Sequence, residues 1–314
     1  MILEELKFLR GAIVVSAGGH LEQAIRRARQ LELENIVYFI PKNAQSESKL
    51  RGQNAVYMRN VGSRDILGLS VAVFQLTRRL NKGKFDYVLS TGAGIALSCY
   101  IVCKLKKIDF YYIESVARIT APSLTGKILS LAKSKALYSE SSNFNSRKWK
   151  SIDTLFSVYK RASGLNHKLT NGPLKIFVTV GTVHKFKFDR LVEMVKLVLV
   201  EGDQVIWQIG DANAFNLTGT HYRELSDYDI AEKIDWADVV VTHSGVGSIL
   251  TTLDRGKYPV IVPRFSELGE HIDDHQIQIA SKIANLGLGT VVQEAFKRED
   301  LLKAARSNVE FRVN

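Results

Sequence analysis

The chain has 314 residues, of which 46% are hydrophobic and 24% charged, with a formal charge of +11. That size and balance suit two globular domains, each able to bury its own core, and exclude a disordered or fibrous chain. The charge is lopsided: residues 1–170 carry 27 Lys and Arg against 12 Asp and Glu, and residues 171–314 carry 16 against 20. A basic first half predicts an anionic partner there, such as a membrane surface or a phosphorylated lipid. Nucleic acid is disfavoured, because no module interleaving aromatic and basic residues is present. Cys99 and Cys103 read as small core residues in a reducing compartment. The apolar run at 13–17 is too short for a signal core, and no run approaches the roughly 20 apolar residues of a membrane span. A cytoplasmic protein, peripheral on the inner face of the cell membrane, is expected.

In chain order, apolar runs predict strands at 12–16, 35–40, 55–58, 87–90 and 110–114. Helices are predicted between and after them at 21–31, 65–80, 95–106 and 124–133. The rhythm restarts with strands at 175–180, 204–209, 239–242, 259–262 and 289–292, and helices at 188–200, 229–235, 246–254, 274–286 and 299–306. Alternation of this kind predicts parallel sheets covered by helices. Residues 160–173, rich in Gly, Asn, Ser and Lys, read as a linker between domains at 1–165 and 174–314. Doubly wound sheets hold ligands beyond the carboxyl ends of their strands, so strand-end turns are the places to search.

In the first half, Ser16-Ala17-Gly18-Gly19-His20 closes the first strand. Its glycines let backbone approach a ligand, the following helix offers free N–H groups, and His20 brings an ionisable ring. This is not the spaced dinucleotide fingerprint, and no acidic residue closes the next strand, so NAD binding is disfavoured. Ser90-Thr91-Gly92-Ala93-Gly94 repeats the strand-to-helix logic. Glu114 falls at a strand end, where a carboxylate can grip a sugar hydroxyl, orient His20 or sit at a helix N-terminus. Arg118 and Lys127 are candidates for a pyrophosphate. Gly18, Gly19, Thr91, Gly92, Arg118 and Lys127 are therefore the expected ligand contacts of this half, which the resemblance given below makes the acceptor contacts.

In the second half, Thr179-Val180-Gly181-Thr182 and His243-Ser244-Gly245-Val246-Gly247-Ser248 both run from a strand into a glycine turn. The latter has the makings of a diphosphate cradle: exposed amides at Gly245 and Gly247, hydroxyls at Ser244 and Ser248, and a helix N-terminus. It lacks the Lys of a phosphate-binding P-loop, which disfavours an ATPase. Arg264 and the run Glu270-His271-Ile272-Asp273-Asp274-His275-Gln276 suit sugar hydroxyls, and Glu270 and Asp273 also suit helix capping. A zinc site from His271, Asp274 and His275 is disfavoured, because neighbours at a loop-to-helix junction do not converge readily on one ion.

Taken together, the first-half motifs resemble the membrane-recruiting subunit of the eukaryotic dolichol-linked N-acetylglucosaminyltransferase. Its catalytic partner is resembled by Phe177-Val178-Thr179-Val180-Gly181-Thr182, Ala237-Asp238-Val239 with the turn at 243–248, and Asp274-His275-Gln276. The order is that of fused bacterial enzymes of capsule and exopolysaccharide synthesis, to which residues 262–276 are most similar, and the peptidoglycan N-acetylglucosaminyltransferase is a more distant relative. The resemblance implies a GT-B fold, with two Rossmann-like doubly wound domains facing a cleft. It implies a UDP-sugar donor at Gly181, Thr182, residues 243–248, Arg264, Glu270, His271, Asp274, His275 and Gln276, and a lipid-pyrophosphate-linked acceptor on the first domain. It also implies an inverting reaction with no metal or other cofactor, and leaves open a partner chain or homo-oligomer. Relatives often carry a Glu on the helix after the Gly/Ser turn, to grip the ribose; here the position is Thr251, which offers one hydroxyl. His20 is the expected general base, with Glu114 as the alternative base or orienting group. A nonenzymatic membrane scaffold and a UDP-sugar epimerase are the rival functions.

Overall fold

The computed structural model describes residues 3–59, 65–132, 134, 136–144, 148–163, 172–181, 186–213 and 215–312. The chain divides into two compact units, Met1–Leu155 and Phe156–Asn314.

In the first unit, a 3-10 turn (Leu3–Phe8) precedes β1 (Gly11–Val14), α1 (Gly19–Gln30), β2 (Ile36–Pro41), α2 (Ala44–Lys49), β3 (Ala55–Met58) and α3 (Ile66–Arg79). There follow β4 (Tyr87–Ser90), α4 (Ile95–Lys106), β5 (Asp109–Ile113), α5 (Leu124–Leu131), β6 (Leu137–Ser139) and β7 (Trp149–Ser151). The strands pair in the order β3-β2-β1-β4-β5-β6-β7, all parallel. Sequence patterning explains the layers. Ile13 and Val15 belong to one buried cluster with Leu21, Ala24 and Tyr38, while Val14 belongs to another with Leu76, Ile95 and Val102. Alternate residues of one strand thus enter cores on opposite faces, as a sheet covered on both sides requires. Helix starts follow capping chemistry: Asp65 accepts from Gly68 N, and Ser123 from Gly126 N.

The second unit contains β8 (Tyr159–Arg161), β9 (Lys175–Thr179), α6 (Asp189–Lys196), β10 (Gln204–Gln208), β11 (Thr220–Tyr222), α7 (Asp227–Trp236) and β12 (Val239–His243). It continues through α8 (Val246–Asp254), β13 (Val260–Val262), α9 (His275–Asn285), β14 (Thr290–Val291), α10 (Arg298–Ala305) and β15 (Val309–Phe311). Its parallel sheet runs β11-β10-β9-β12-β13-β14. An antiparallel ribbon joins β8 to β15, so Lys160 and Arg161, the first residues of the expected linker, are built into this unit. Residues 164–171 of that linker lie outside the described residues.

Each sheet reverses its winding once, between β1 and β4 and between β9 and β12. Those are the points where adjacent strand-end loops part and a ligand can enter. Differences from the expected elements are confined to short pieces. The α2 sequence Ala-Gln-Ser-Glu-Ser-Lys has no apolar stripe and is held by a capping box between Asn43 and Ser46; β11 is exposed throughout. The helix expected over 188–200 ends at Lys196. Among the described residues, no helix is long and apolar enough to cross a membrane.

Candidate active site

In the first unit the switch point brings the two glycine turns together. His20 lies in the first turn of α1, and its Nδ1 is 2.8 Å from the Thr91 carbonyl oxygen. In return, Thr91 Oγ1 donates to the His20 carbonyl at 2.8 Å. A carbonyl only accepts, so Nδ1 carries a proton, and whenever the ring is neutral its lone pair is on Nε2. Gly92 sits at φ +110°, and a Cβ there would stand 2.8 Å from His20 Cε1. Gly18, at φ +83°, and Gly19 both face open space. Thus Gly18, Gly19, His20, Thr91 and Gly92 share one place.

Glu114 lies just past β5 and is buried. Its Oε1 accepts from Tyr112 Oη at 3.0 Å and Ser115 N at 2.9 Å; its Oε2 accepts from Ser123 N at 2.9 Å and Ser123 Oγ at 3.0 Å. His20 is not among these partners. Burial holds the carboxyl above the ordinary Glu value, although the four donors pull it the other way. The carboxylate ties the end of β5 to the N-cap of α5, a role of the helix-start kind. Arg118 is half-buried in the intervening loop, and Lys127 is exposed on α5.

In the second unit, β9 ends at Thr179, Gly181 adopts φ +78°, and β12 ends at His243. The His243 ring is gripped between two glycines: a Cβ on Gly181 would lie 2.4 Å from its Cε1, and one on Gly245 2.2 Å from its Nε2. Only glycine leaves room for the imidazole. Burial, reinforced by Arg264, pushes its pKa down to about 3, so the ring is neutral. Its Nδ1 and the Ser244 hydroxyl are both buried without a hydrogen-bond partner. Gly245 stands at the N-cap of α8 without a side-chain cap, and Gly247 faces open space. Open helix amides beside an unsatisfied buried hydroxyl form a concave set of donors suited to an anion. Thr251 Oγ1 donates to the Gly247 carbonyl at 3.0 Å. Thr182 lies outside the described residues.

Residues 264–276 follow β13 and are organised by charge. Arg264 is buried; its Nη1 donates to the carbonyls of Phe186, Lys187 and Glu270 at 3.0–3.3 Å, and its Nη2 to that of Val180 at 2.8 Å. Its guanidinium also lies 4.4 Å from the Phe188 ring centroid. Arg264 therefore gathers the loops after β9 and β13. Glu270 pairs bidentately with Arg190 at 2.9 and 2.8 Å. Gln276 is buried, and its Oε1 accepts from Arg264 N at 3.2 Å. Asp274 accepts from Ser266 N at 2.9 Å. His271 and His275 meet edge to face with centroids 4.6 Å apart, and both Nδ1 atoms face Asp273 Oδ1. The disfavoured zinc grouping named Asp274, but the carboxylate facing the two rings is that of Asp273. Arg190 was not singled out from sequence, and Asp273 was read only as part of the run at 270–276 and as a helix cap. Arg190 is one basic residue among many on helices, and only folding brings it to Glu270, 80 positions away.

Residues 175–310 match the glycosyltransferase family 28 C-terminal domain. The second unit carries that domain. Over 313 residues, 92% of this chain and 86% of the relative, the chain is 25% identical to the UDP-N-acetylglucosamine–N-acetylmuramyl-(pentapeptide) pyrophosphoryl-undecaprenol N-acetylglucosamine transferase of Sulfurihydrogenibium sp. (strain YO3AOP1). It is 30% identical over 128 residues to the human UDP-N-acetylglucosamine transferase subunit ALG13, covering 36% of this chain and 10% of that protein. The structure superposes on Acinetobacter baumannii MurG with a TM-score of 0.58 at 20% identity, covering 94% of this chain and 89% of that one. For the glycosyltransferase SnogD of Streptomyces nogalater the values are 0.59, 13%, 95% and 90%. The fold is that of the GT-B glycosyltransferases, and the chain is a glycosyltransferase.

Proposed function

We propose that the chain moves a sugar from a UDP-sugar to a polyprenyl-pyrophosphate-linked acceptor, with inversion, in capsule or exopolysaccharide synthesis. The observation that carries the donor is the turn at 243–248. A buried, unpartnered Ser244 hydroxyl sits there beside open α8 amides, inside a family 28 domain. The acceptor class is supported by the relative whose name specifies a pyrophosphoryl-undecaprenol glycan. The capsule or exopolysaccharide role is supported by the resemblance over residues 262–276.

Chemically, an acceptor hydroxyl loses its proton to His20 Nε2 as its oxygen attacks the anomeric carbon and the bond to UDP breaks. The charge gathering on the leaving diphosphate is met by the amides of Gly245, Val246, Gly247 and Ser248 and by the Ser244 hydroxyl. His271, Asp274 and His275 hold the donor sugar, at the rim of a loop that Arg264, Glu270 and Gln276 shape from within. Arg118 and Lys127 face the acceptor pyrophosphate.

A membrane face is supported on the first unit. Helices α3 and α4 pack together, as do α4 and α5, and they expose Leu67, Phe74, Ile101, Leu105, Leu124 and Leu131. Arg78, Arg79, Lys104, Lys106 and Lys107 are exposed on the same helices and at the end of α4. Apolar side chains rimmed by cations suit an anionic lipid surface. Peptidoglycan synthesis is the second reading, favoured by the 25% identity across nearly the whole chain.

The test is a screen of UDP-sugars against polyprenyl-pyrophosphate-linked acceptors in membranes, with and without EDTA. Transfer that requires both partners and survives EDTA supports the proposal. Absence of UDP binding by calorimetry would leave a scaffold, and turnover of UDP-sugar without acceptor would show an epimerase. Preference for a muramyl-pentapeptide acceptor would select the peptidoglycan reading.

A further inference from the structure

The grouping of His271, Asp273 and His275 goes beyond what donor binding requires. They stand at alternate positions on the bend leading into α9, each half-buried, and among the described residues they are the one His/Cys/Asp/Glu set of three whose ligand atoms meet within 4.8 Å. The convergence is directional. His271 Nδ1 lies 3.5 Å from Asp273 Oδ1, and His275 Nδ1 makes a short contact with the same oxygen. A tetrahedral ion with bonds of about 2.0–2.1 Å separates its ligand atoms by roughly 3.3 Å, so His271 Nδ1 already stands near that spacing from Asp273 Oδ1, although it also contacts the Asp273 backbone, while His275 and Asp273 must draw apart to admit an ion. Ring orientation is also set in advance. His271 stacks on Phe186 with centroids 5.9 Å apart and contacts His275 edge-on. Two imidazoles and one carboxylate are the donor set of open zinc sites, with a fourth position for water.

We propose that His271, Asp273 and His275 bind one zinc-type divalent transition-metal ion. The ion takes the place of the direct contact between His275 Nδ1 and the Asp273 carboxylate, and it locks the bend to the start of α9. It is not part of the diphosphate cradle, whose donors are amides and a hydroxyl. Two of its ligands, His271 and His275, are the side chains placed on the donor sugar, so the inference rests on that reading of the loop, and metal binding and UDP binding are measured separately.

The experiment is calorimetric titration of Zn2+ into the EDTA-treated full-length protein, repeated with Co2+ to record the visible absorption of a tetrahedral ion. The expected result is one ion per chain, with affinity falling at least tenfold in each of His271→Gln, Asp273→Asn and His275→Gln. The side chains are partly exposed and the changes nearly isosteric; circular dichroism identifies any variant that fails to fold, and the other two then decide. Absence of saturable binding, or unchanged binding in a folded His271→Gln or His275→Gln variant, would overturn the site. UDP titration in EDTA tests the donor turn alone, so failure of one proposal is distinguishable from failure of the other.

Discussion

At the residue scale, the sharpest chemistry belongs to His20, Gly245 and His243. The Thr91 carbonyl sets the His20 tautomer and leaves Nε2 as the basic nitrogen. His20→Ala should lower kcat by about a hundredfold or more with the fold intact; steady-state kinetics beside circular dichroism checks this, and near-normal turnover removes His20 from the role. In Gly245→Ala the new methyl must displace the His243 ring, 2.2 Å away, so UDP affinity should fall at least tenfold by calorimetry. His243 also makes stability depend on pH. Its folded pKa is about 3 against an ordinary 6.5. Above pH 6.5 both states are neutral. As pH falls below 6.5 the unfolded chain takes up a proton that the folded chain refuses, and the loss grows until about pH 3, to roughly 4–5 kcal/mol. Thermal unfolding of His243→Asn should therefore show a shallower decline across that window than the native protein; parallel declines would refute the assignment.

At the element scale, the loop between β13 and α9 is held by buried charge rather than by regular structure. Arg190 on α6 reaches Glu270 bidentately and the Pro263 carbonyl at 2.6 Å. Removing Arg190 strips a buried carboxylate of its ion pair and leaves it the Phe265 N–H as donor, a loss of at most about 3–5 kcal/mol. Arg190→Ala should thus lower the unfolding midpoint and speed hydrogen exchange across residues 263–276, whereas unchanged exchange there would mean that Arg264 alone holds the loop. The strand-end turns were legible in the sequence because glycine after an apolar run has few other uses at a strand-to-helix junction. The Arg190–Glu270 clamp was not, since nothing in a helical Arg announces a partner 80 positions away. Glu114 shows the same limit from the other side. Its strand-end position was visible, but the pairing of its two oxygens with Tyr112, Ser115 and Ser123 depends on how the loop after β5 returns to α5.

At the scale of the whole molecule, the charge asymmetry of the sequence acquires a place. The exposed apolar residues of α3, α4 and α5 lie among basic residues of the first unit, and the proposed membrane face rests on opposite-sign lipid headgroups adding attraction to apolar burial. Leu67→Glu with Phe74→Glu should reduce sedimentation with vesicles containing anionic lipid several-fold, and raised salt should weaken binding of the native protein. Equal binding by the double variant would place the membrane contact elsewhere.

The sequence by itself determined the two-part α/β architecture, because alternation of apolar strands with helices is a local pattern that survives without tertiary information. It also located the strand-end glycine turns, because a parallel α/β sheet exposes its turns at the carboxyl ends of its strands. Tertiary structure decided which side chains those turns leave available. Burial and pairing engage Glu114 with Tyr112, Ser115 and Ser123 and tie Arg264 and Glu270 to neighbouring loops, confine a neutral His243 between two glycines, and turn Asp273, rather than its neighbour Asp274, toward the two histidines. The Arg190–Glu270, Arg264–Val180 and Gly181–His243 contacts depend on distances between residues remote in the chain, and even the local pairings of Glu114 and Asp273 depend on side-chain directions that no spacing encodes.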